Sequence, residues 1–206
     1  MGRLSITAAT ACLLFGGSSA PTALGSRSAL QGVWVPFTAS YVTSVDGREV
    51  SRGSYQRSAD GSTRAEHVGE RFRSIAIINL PEKAYFVYRE GRVASRSGES
   101  AGDWTRQPLA LPPQGWRPPQ YHHDVDGVPE VVAGIETLRR PMANEGYRSL
   151  APELNWFALI TDYGPGQART EFYNVIRREP DPKVFEPPPG VVPRLLSRPG
   201  GIISGQ

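Results

Sequence analysis

Residues 55–67 read YQRSADGSTRAEH, and this segment decides the fold. Polar and apolar residues alternate on both sides of Asp60-Gly61, which is the period of a β-strand. An Asp-Gly pair between two such runs is a strong hairpin signal, because both central residues of a type I′ turn need a positive φ. The segment therefore predicts two antiparallel strands joined by a tight turn.

Neighbouring segments extend this hairpin on its C-terminal side. An apolar run over Phe72–Ile78 ends at a turn that contains Pro81, and the chain resumes as Ala84–Tyr88. A second Asp-Gly turn, Asp46-Gly47, precedes the return strand on the N-terminal side. Three or four antiparallel strands in sequence are therefore predicted.

Two further segments predict strands. Val33–Tyr41 has the period of a half-buried strand, and Pro36 inside it predicts a sheet edge or a bulge, because proline has no N–H to donate. Trp156–Tyr163 and Arg169–Arg177, joined by Gly-Pro-Gly, predict a final hairpin, and Val128–Arg140 predicts one more strand. Helix is scarce throughout, so the residues predict a mainly β, antiparallel fold.

Composition divides the chain into three parts. Residues 1–25 resemble a secretory signal, residues 26–190 form a single β-rich domain, and residues 191–206 are predicted to be a disordered tail. Within the domain, residues 97–120 are rich in Gly, Ser and Pro, which predicts a long loop packed through Trp104 and Trp116. Val184 and Phe185 are predicted to pack under the sheet.

The signal predicts an exported protein, periplasmic or extracellular. Its apolar run, Ile6–Phe15, is shorter than the span of about 20 residues that crosses a membrane. Cleavage is expected near Ser26, which would remove Cys12, the chain's single cysteine. The alternative, lipidation of Cys12, stays open. No membrane span is predicted in the mature chain.

The charge pattern argues against nucleic-acid binding. The formal net charge is +3, and basic and acidic residues are interspersed rather than clustered on one face. Only Lys83 and Lys183 are lysines. We expect no nucleic-acid partner and no cofactor.

The best metal candidates are His122 and His123, which neighbour Asp124 and Asp126. Imidazole and carboxylate groups ligate divalent metals, and His67 is the third histidine of the chain. The ordinary alternative is a solvated polar loop. Gly98–Gly102 matches the nucleophile-elbow pattern, but a proline-rich stretch follows it where that chemistry needs a helix. We therefore expect no catalytic residues and no enzymatic activity.

The alternating apolar residues have two interpretations. They form either an ordinary sheet core or a concave apolar face that holds a lipid or an acyl chain. The candidate ligand-binding residues are Val35, Phe37, Tyr41, Ile75, Ile77, Phe86 and Tyr88.

Several motifs resemble those of a group of exported bacterial proteins of undetermined function. They lie at Tyr55–Glu66, Ile75–Ile77, Ala151–Asn155, Phe172–Val175 and Glu179–Phe185, so the resemblance spans roughly residues 35–190. That group distantly resembles the periplasmic lipoprotein carriers of the LolA/LolB type. The resemblance implies a strongly curved antiparallel sheet, an incomplete half-barrel, and a lipid, acyl-chain or lipoprotein ligand.

Three functions follow as expectations. The first is a cell-envelope binding or carrier protein for a hydrophobic ligand. The second is an interaction or sensing module for another envelope protein, with residues 97–120 and the Arg-rich strand faces as contact surface. The third, more remote, is a metal-dependent hydrolase at His122 and His123.

Overall fold

The computed structural model describes residues 34–91, 102–109 and 126–196. These residues form twelve strands and two short 3₁₀ turns, Pro152–Leu154 and Pro182–Phe185. The strands are β1 (Phe37–Val45), β2 (Arg48–Arg57), β3 (Thr63–Gly69), β4 (Phe72–Asn79), β5 (Ala84–Gly91), β6 (Trp104–Pro108), β7 (Val128–Val132), β8 (Ile135–Pro141), β9 (Tyr147–Ala151), β10 (Phe157–Asp162), β11 (Ala168–Ile176) and β12 (Arg194–Leu195).

All twelve strands belong to one open sheet. Their order is β12-β6-β5-β4-β3-β2-β1-β11-β10-β9-β8-β7. Neighbours pair antiparallel except β12 and β6, which are parallel. The two halves of the chain therefore meet where β1 pairs with β11. The predicted fold class, a mainly β, curved antiparallel sheet with little helix, is confirmed.

The two Asp-Gly pairs form different turns. Asp46 and Gly47 both have positive φ (50° and 74°), as a two-residue type I′ hairpin requires. In the deciding segment only Gly61 does (90°), so the type I′ turn predicted there is wrong. Five residues separate β2 from β3, and the Asp60 carboxylate accepts hydrogen bonds from the Ser62 N–H (2.7 Å) and the Ser58 hydroxyl. The aspartate thus stabilises the loop through its side chain.

Pro36 does not place its strand at a sheet edge. β1 begins one residue after it, so the missing N–H interrupts no ladder. The strand lies in the middle of the sheet, between β2 and β11. Its register with β11 shifts between Thr38 and Ser40. This irregularity is the bulge, the second of the two alternatives that Pro36 predicted.

Three other segments differ from prediction. The expected loop over residues 97–120 contains β6, because Trp104 is buried against β5 while its backbone pairs with that strand. The expected tail contributes β12, which adds to the other side of β6. The element expected over Val128–Arg140 is a hairpin of β7 and β8, turned by Ala133 and Gly134 with positive φ (52° and 78°). The remaining residues of the loop and tail, and the signal at residues 1–25, lie outside the described ranges.

The strand register separates two faces of the sheet. Tyr55 pairs with Ala65, which pairs with Ala76, and directly paired residues share a face. We call the face that carries Tyr55, Ala65 and Ala76 the first face. Ile75 and Ile77 flank Ala76, so they lie on the opposite, second face.

Phe185 covers the second face, where it packs with Ile77 and Phe86. The Asn79 side chain donates to the Phe185 carbonyl (3.1 Å), which fixes the 3₁₀ turn on the sheet. The prediction that this C-terminal segment packs under the sheet is confirmed for Phe185, which is 4% exposed.

Gly53 is required where the Tyr41 ring crosses β2. A Cβ at this position would overlap the Glu66 carbonyl oxygen and lie 2.5 Å from Tyr41 Cζ. We expect Gly53→Ala to lower the free energy of unfolding by about 1–3 kcal/mol, because the backbone or the ring must move. Urea denaturation measures this, with Ser54→Ala, the next residue along β2, as the matched control. Equal stability of the two variants would contradict the packing described.

Candidate ligand-binding face

Five aromatic side chains meet on the first face, and we call them the aromatic cluster. They are Phe37, Tyr41, Tyr55, Phe157 and Phe172. Phe157 is the hub, because its ring centroid lies 5.0 Å from that of Phe37, 4.9 Å from that of Tyr55 and 5.0 Å from that of Phe172. Two of these contacts are edge-to-face, a favoured geometry for aromatic pairs.

The cluster forms because the sheet curves around it. Tyr55 lies on β2 and Phe157 on β10, with β1 and β11 between them. Three strand intervals span about 14 Å in a flat sheet, which is too far for two rings whose centroids are 4.9 Å apart. The first face is therefore the concave face here.

Arg57 closes one end of the cluster. Its guanidinium carbon lies 4.8 Å from the Phe37 ring centroid and 5.0 Å from that of Trp34. Nε donates to the Val35 carbonyl (3.1 Å), and Nη2 donates to the Leu154 carbonyl (2.7 Å) and to Asn155 Oδ1 (3.1 Å). We call this set of hydrogen bonds the Arg57 clasp, and it joins the start of the described chain, β2 and the 3₁₀ turn.

The clasp buries a cation among neutral partners. Arg57 is only 3% exposed, and among the described residues no carboxylate forms an ion pair with it. Burial lowers the pKa of its guanidinium to about 10. The charge is instead stabilised by carbonyl oxygens and by the faces of aromatic rings. Because these partners are all neutral, the clasp is held by hydrogen bonds and cation–π contacts alone.

A second polar contact lies further along the first face, between Tyr41 and His67. The Tyr41 hydroxyl donates its hydrogen to the Glu66 carbonyl (2.9 Å), and His67 Nδ1 lies 2.9 Å from the same hydroxyl. Since a phenol has one hydrogen, we infer that His67 Nδ1 carries a proton and donates it to Tyr41. The His67 ring also stacks on Phe72, with centroids 5.3 Å apart. Burial raises the pKa of Tyr41 and lowers that of His67.

The structure divides the seven candidate ligand-binding residues between the two faces. Phe37 and Tyr41 belong to the aromatic cluster, and Val35 packs against it. The other four pack together on the second face, under the 3₁₀ turn that ends at Phe185: Ile75, Ile77, Phe86 and Tyr88. The seven therefore do not form one apolar face, which corrects that part of the prediction. Whether any of them binds a ligand stays a prediction.

The proposed metal ligands His122 and His123 lie outside the described residues. Within residues 34–91, 102–109 and 126–196, no group of three or more His, Cys, Asp or Glu side chains could hold a metal ion. Among the same residues, no helix is both long and apolar enough to cross a membrane.

An open groove of about 460 Å³ lies on the second face, over β1, β2 and β11. Asn174, whose backbone is in the left-handed region (φ 51°), lies in its wall at the bulge between β1 and β11. The groove is lined by Thr38, Ala39, Ser40, Ser54, Tyr55, Gln56, Asn174, Val175 and Ile176.

The sequence left four important residues out of the candidate site. Tyr55 and Phe172 lie inside predicted strands. Alternation gives the side of the strand on which each one lies, but it does not give the face of the sheet. Phe157 is the hub, but its partners are on strands far away in sequence, so no local signal marked it. Arg57 was passed over because arginine is seldom buried.

The fold and the face together define a class: an open, curved antiparallel sheet with an aromatic cluster on its concave face. Comparison with known proteins adds no closer assignment, since no protein-family model matches the chain and no curated protein matches it.

His67 should make stability depend on pH. Its pKa is lowered in the folded state by burial, so the unfolded chain binds more protons between that lowered value and about 6.5. The stability contributed by neutral His67 is therefore fully present above pH 6.5 and is lost as pH falls through the folded pKa.

The matched variant is His67→Asn, whose amide keeps a donor for Tyr41 but does not titrate. As pH is lowered from 8 to 5, the urea concentration at the midpoint of unfolding should fall more steeply for the natural chain than for the variant. Parallel curves would contradict a buried neutral histidine.

Proposed function

We propose that this chain is an exported cell-envelope binding or carrier protein for a hydrophobic ligand with an acyl chain, and that it acts without catalysis. The observation that supports this best is the aromatic cluster, which gives the concave face of an open sheet a continuous apolar floor. Export rests on the signal-like residues 1–25, and the acyl ligand also rests on the resemblance described above.

In the structure the cluster is closed. Phe37 has no exposed surface, and Tyr55 is 6% exposed. Phe157 is only half-buried, so it is the ring that a ligand reaches first. A chain of methylene groups gains about 0.8 kcal/mol for each CH₂ removed from water, which favours replacing ring–ring contacts by ring–ligand contacts.

Opening requires movement of the 3₁₀ turn Pro152–Leu154. Phe157 follows this turn directly, and the Arg57 clasp holds the turn through Leu154 and Asn155. Hydrogen bonds that involve a charged group contribute about 1.5–3 kcal/mol each, so binding of the ligand has to offset the cost of opening the clasp. We infer that ligand entry displaces Phe157 together with the turn.

The alternative is an interaction or sensing module for another envelope protein. Its support is the edge of the sheet at β7, which no other described strand pairs, and where Val128 and Val131 are 66% and 69% exposed. An edge strand with exposed valines is suited to pairing with a strand of another chain. Trp104 is buried rather than presented to a partner, which removes one residue from the contact surface first expected.

Phe157→Asp tests the carrier proposal. A carboxylate at the hub of the cluster would have to be desolvated beneath an acyl chain, so we expect affinity for a fluorescent fatty acid to fall at least tenfold. Fluorescence titration of the purified full chain measures this affinity.

Tyr173→Asp is the matched control. Tyr173 is 41% exposed and neighbours Phe172 on the same strand, but it points away from the cluster. It should bind the probe like the natural chain. Equal binding by both variants would place the ligand elsewhere, and absence of binding by the natural chain would shift weight to the interaction module.

A further inference from the structure

Two arginines face each other near the β7 edge of the sheet. Arg140 on β8 pairs directly with Arg148 on β9, so their side chains share a face. Like charges directly opposite each other on neighbouring strands destabilise a sheet. We call these residues the arginine pair.

Nothing among the described residues neutralises this pair. Within residues 34–91, 102–109 and 126–196, neither arginine has an ion-pair or hydrogen-bond partner, and Arg148 Nε is a buried donor without an acceptor there. Acids occur on the same strands, at Glu136 and in the following turn at Glu145, but within the described ranges neither forms an ion pair with the arginines. A buried donor without an acceptor is rare in folded proteins and calls for a partner.

The surroundings of the pair are apolar on one side. Leu150 and Leu138 lie two residues away on the same strands and pair directly with each other. Leu150 is 8% exposed, while the arginines are half-buried, so part of each remains open to solvent. Apolar and cationic groups are therefore adjacent on one surface.

A row of hydroxyls connects the pair to the aromatic cluster. Arg148 pairs with Thr161 on β10, Thr161 pairs with Thr170 on β11, and the Thr170 hydroxyl lies 3.0 Å from that of Thr43 on β1. Thr170 is two residues from Phe172 on the same face of β11. Thr170 thus lies two strand intervals, about 10 Å, from Arg148, and Phe172 of the aromatic cluster lies two residues, about 7 Å, further along β11.

We propose that the arginine pair binds the anionic head group, a carboxylate or a phosphate, of the same acyl ligand whose chain lies on the aromatic cluster. This inference rests on the proposed function and narrows it to a negatively charged amphiphile. Two guanidinium groups supply several donors in planar arrays that match the oxygens of such a head group. The anion also satisfies Arg148 Nε and removes the repulsion between the two cations.

The test compares oleate with oleyl alcohol, which has the same chain without the charge. Isothermal titration of the full chain, below the concentration at which oleate aggregates, should give about tenfold tighter binding of oleate. The double variant Arg140→Gln/Arg148→Gln should bind the two probes equally, with its affinity for oleyl alcohol unchanged. Arg148→Lys keeps the charge and should keep a preference for oleate.

Arg52→Gln is the matched control, because Arg52 is an exposed arginine that pairs with Glu49 on the surface. It should behave like the natural chain. Inorganic phosphate should compete with oleate but not with oleyl alcohol.

Three results would overturn the inference. Equal affinity of the natural chain for oleate and oleyl alcohol would do so while leaving the carrier function in place. Phosphate binding as tight as oleate binding would indicate a site for a free anion. Absence of binding by either probe would remove the carrier function itself, and the head-group site with it.

Discussion

The concave face depends on a buried cation, Arg57, for which the described part of the chain supplies no neighbouring anion. Arg57 enters an apolar interior, where an unpaired charge is costly to desolvate, and it is held there by two backbone carbonyls, one amide oxygen and three aromatic rings. Through these contacts it fixes Val35, the 3₁₀ turn and the end of β2 at once. The position of Phe157, and so the shape of the aromatic cluster, follows from that of the turn.

This arrangement suits a face that opens. A carboxylate partner would lock the arginine in place, because removing one member of a buried ion pair is strongly unfavourable. Carbonyl and amide acceptors are exchanged for water more easily when the turn moves outward. On the second face, by contrast, the Asn79 bond to Phe185 and the packing of Ile77 and Phe86 form a closed core. The two faces therefore differ in how their cores are held: an amide–carbonyl hydrogen bond fixes the second face, and the Arg57 clasp fixes the first.

Local sequence patterns predicted much of the sheet but not its long-range geometry. The strands around Asp46-Gly47, Pro81 and Gly164 were predicted because alternation and turn residues are local signals. Phe185 was predicted to pack under the sheet because it is an apolar residue in a proline-rich segment. The strand β6 was missed, since five residues between a Gly/Ser-rich stretch and a proline-rich one carry too little pattern to stand out.

The candidate site was harder to predict for a physical reason. Alternation gives the side of each strand on which a residue lies, but it does not give the side of the whole sheet until the register between strands is known. The seven predicted residues were therefore split between two faces, although each lies on a strand or beside one. The contact of Phe157 with Tyr55 depends on curvature across four strands, and the burial of Arg57 depends on that contact. Neither follows from the residues near it in sequence.

The most direct measurement is native mass spectrometry of the mature chain, purified gently from the envelope fraction of the cells that make it. A carrier with an acyl-binding concave face should retain a lipid or an acylated peptide as a bound mass, released when the chain is denatured. A single apo mass in every gentle preparation would contradict the carrier function and direct attention to a protein partner at the β7 edge.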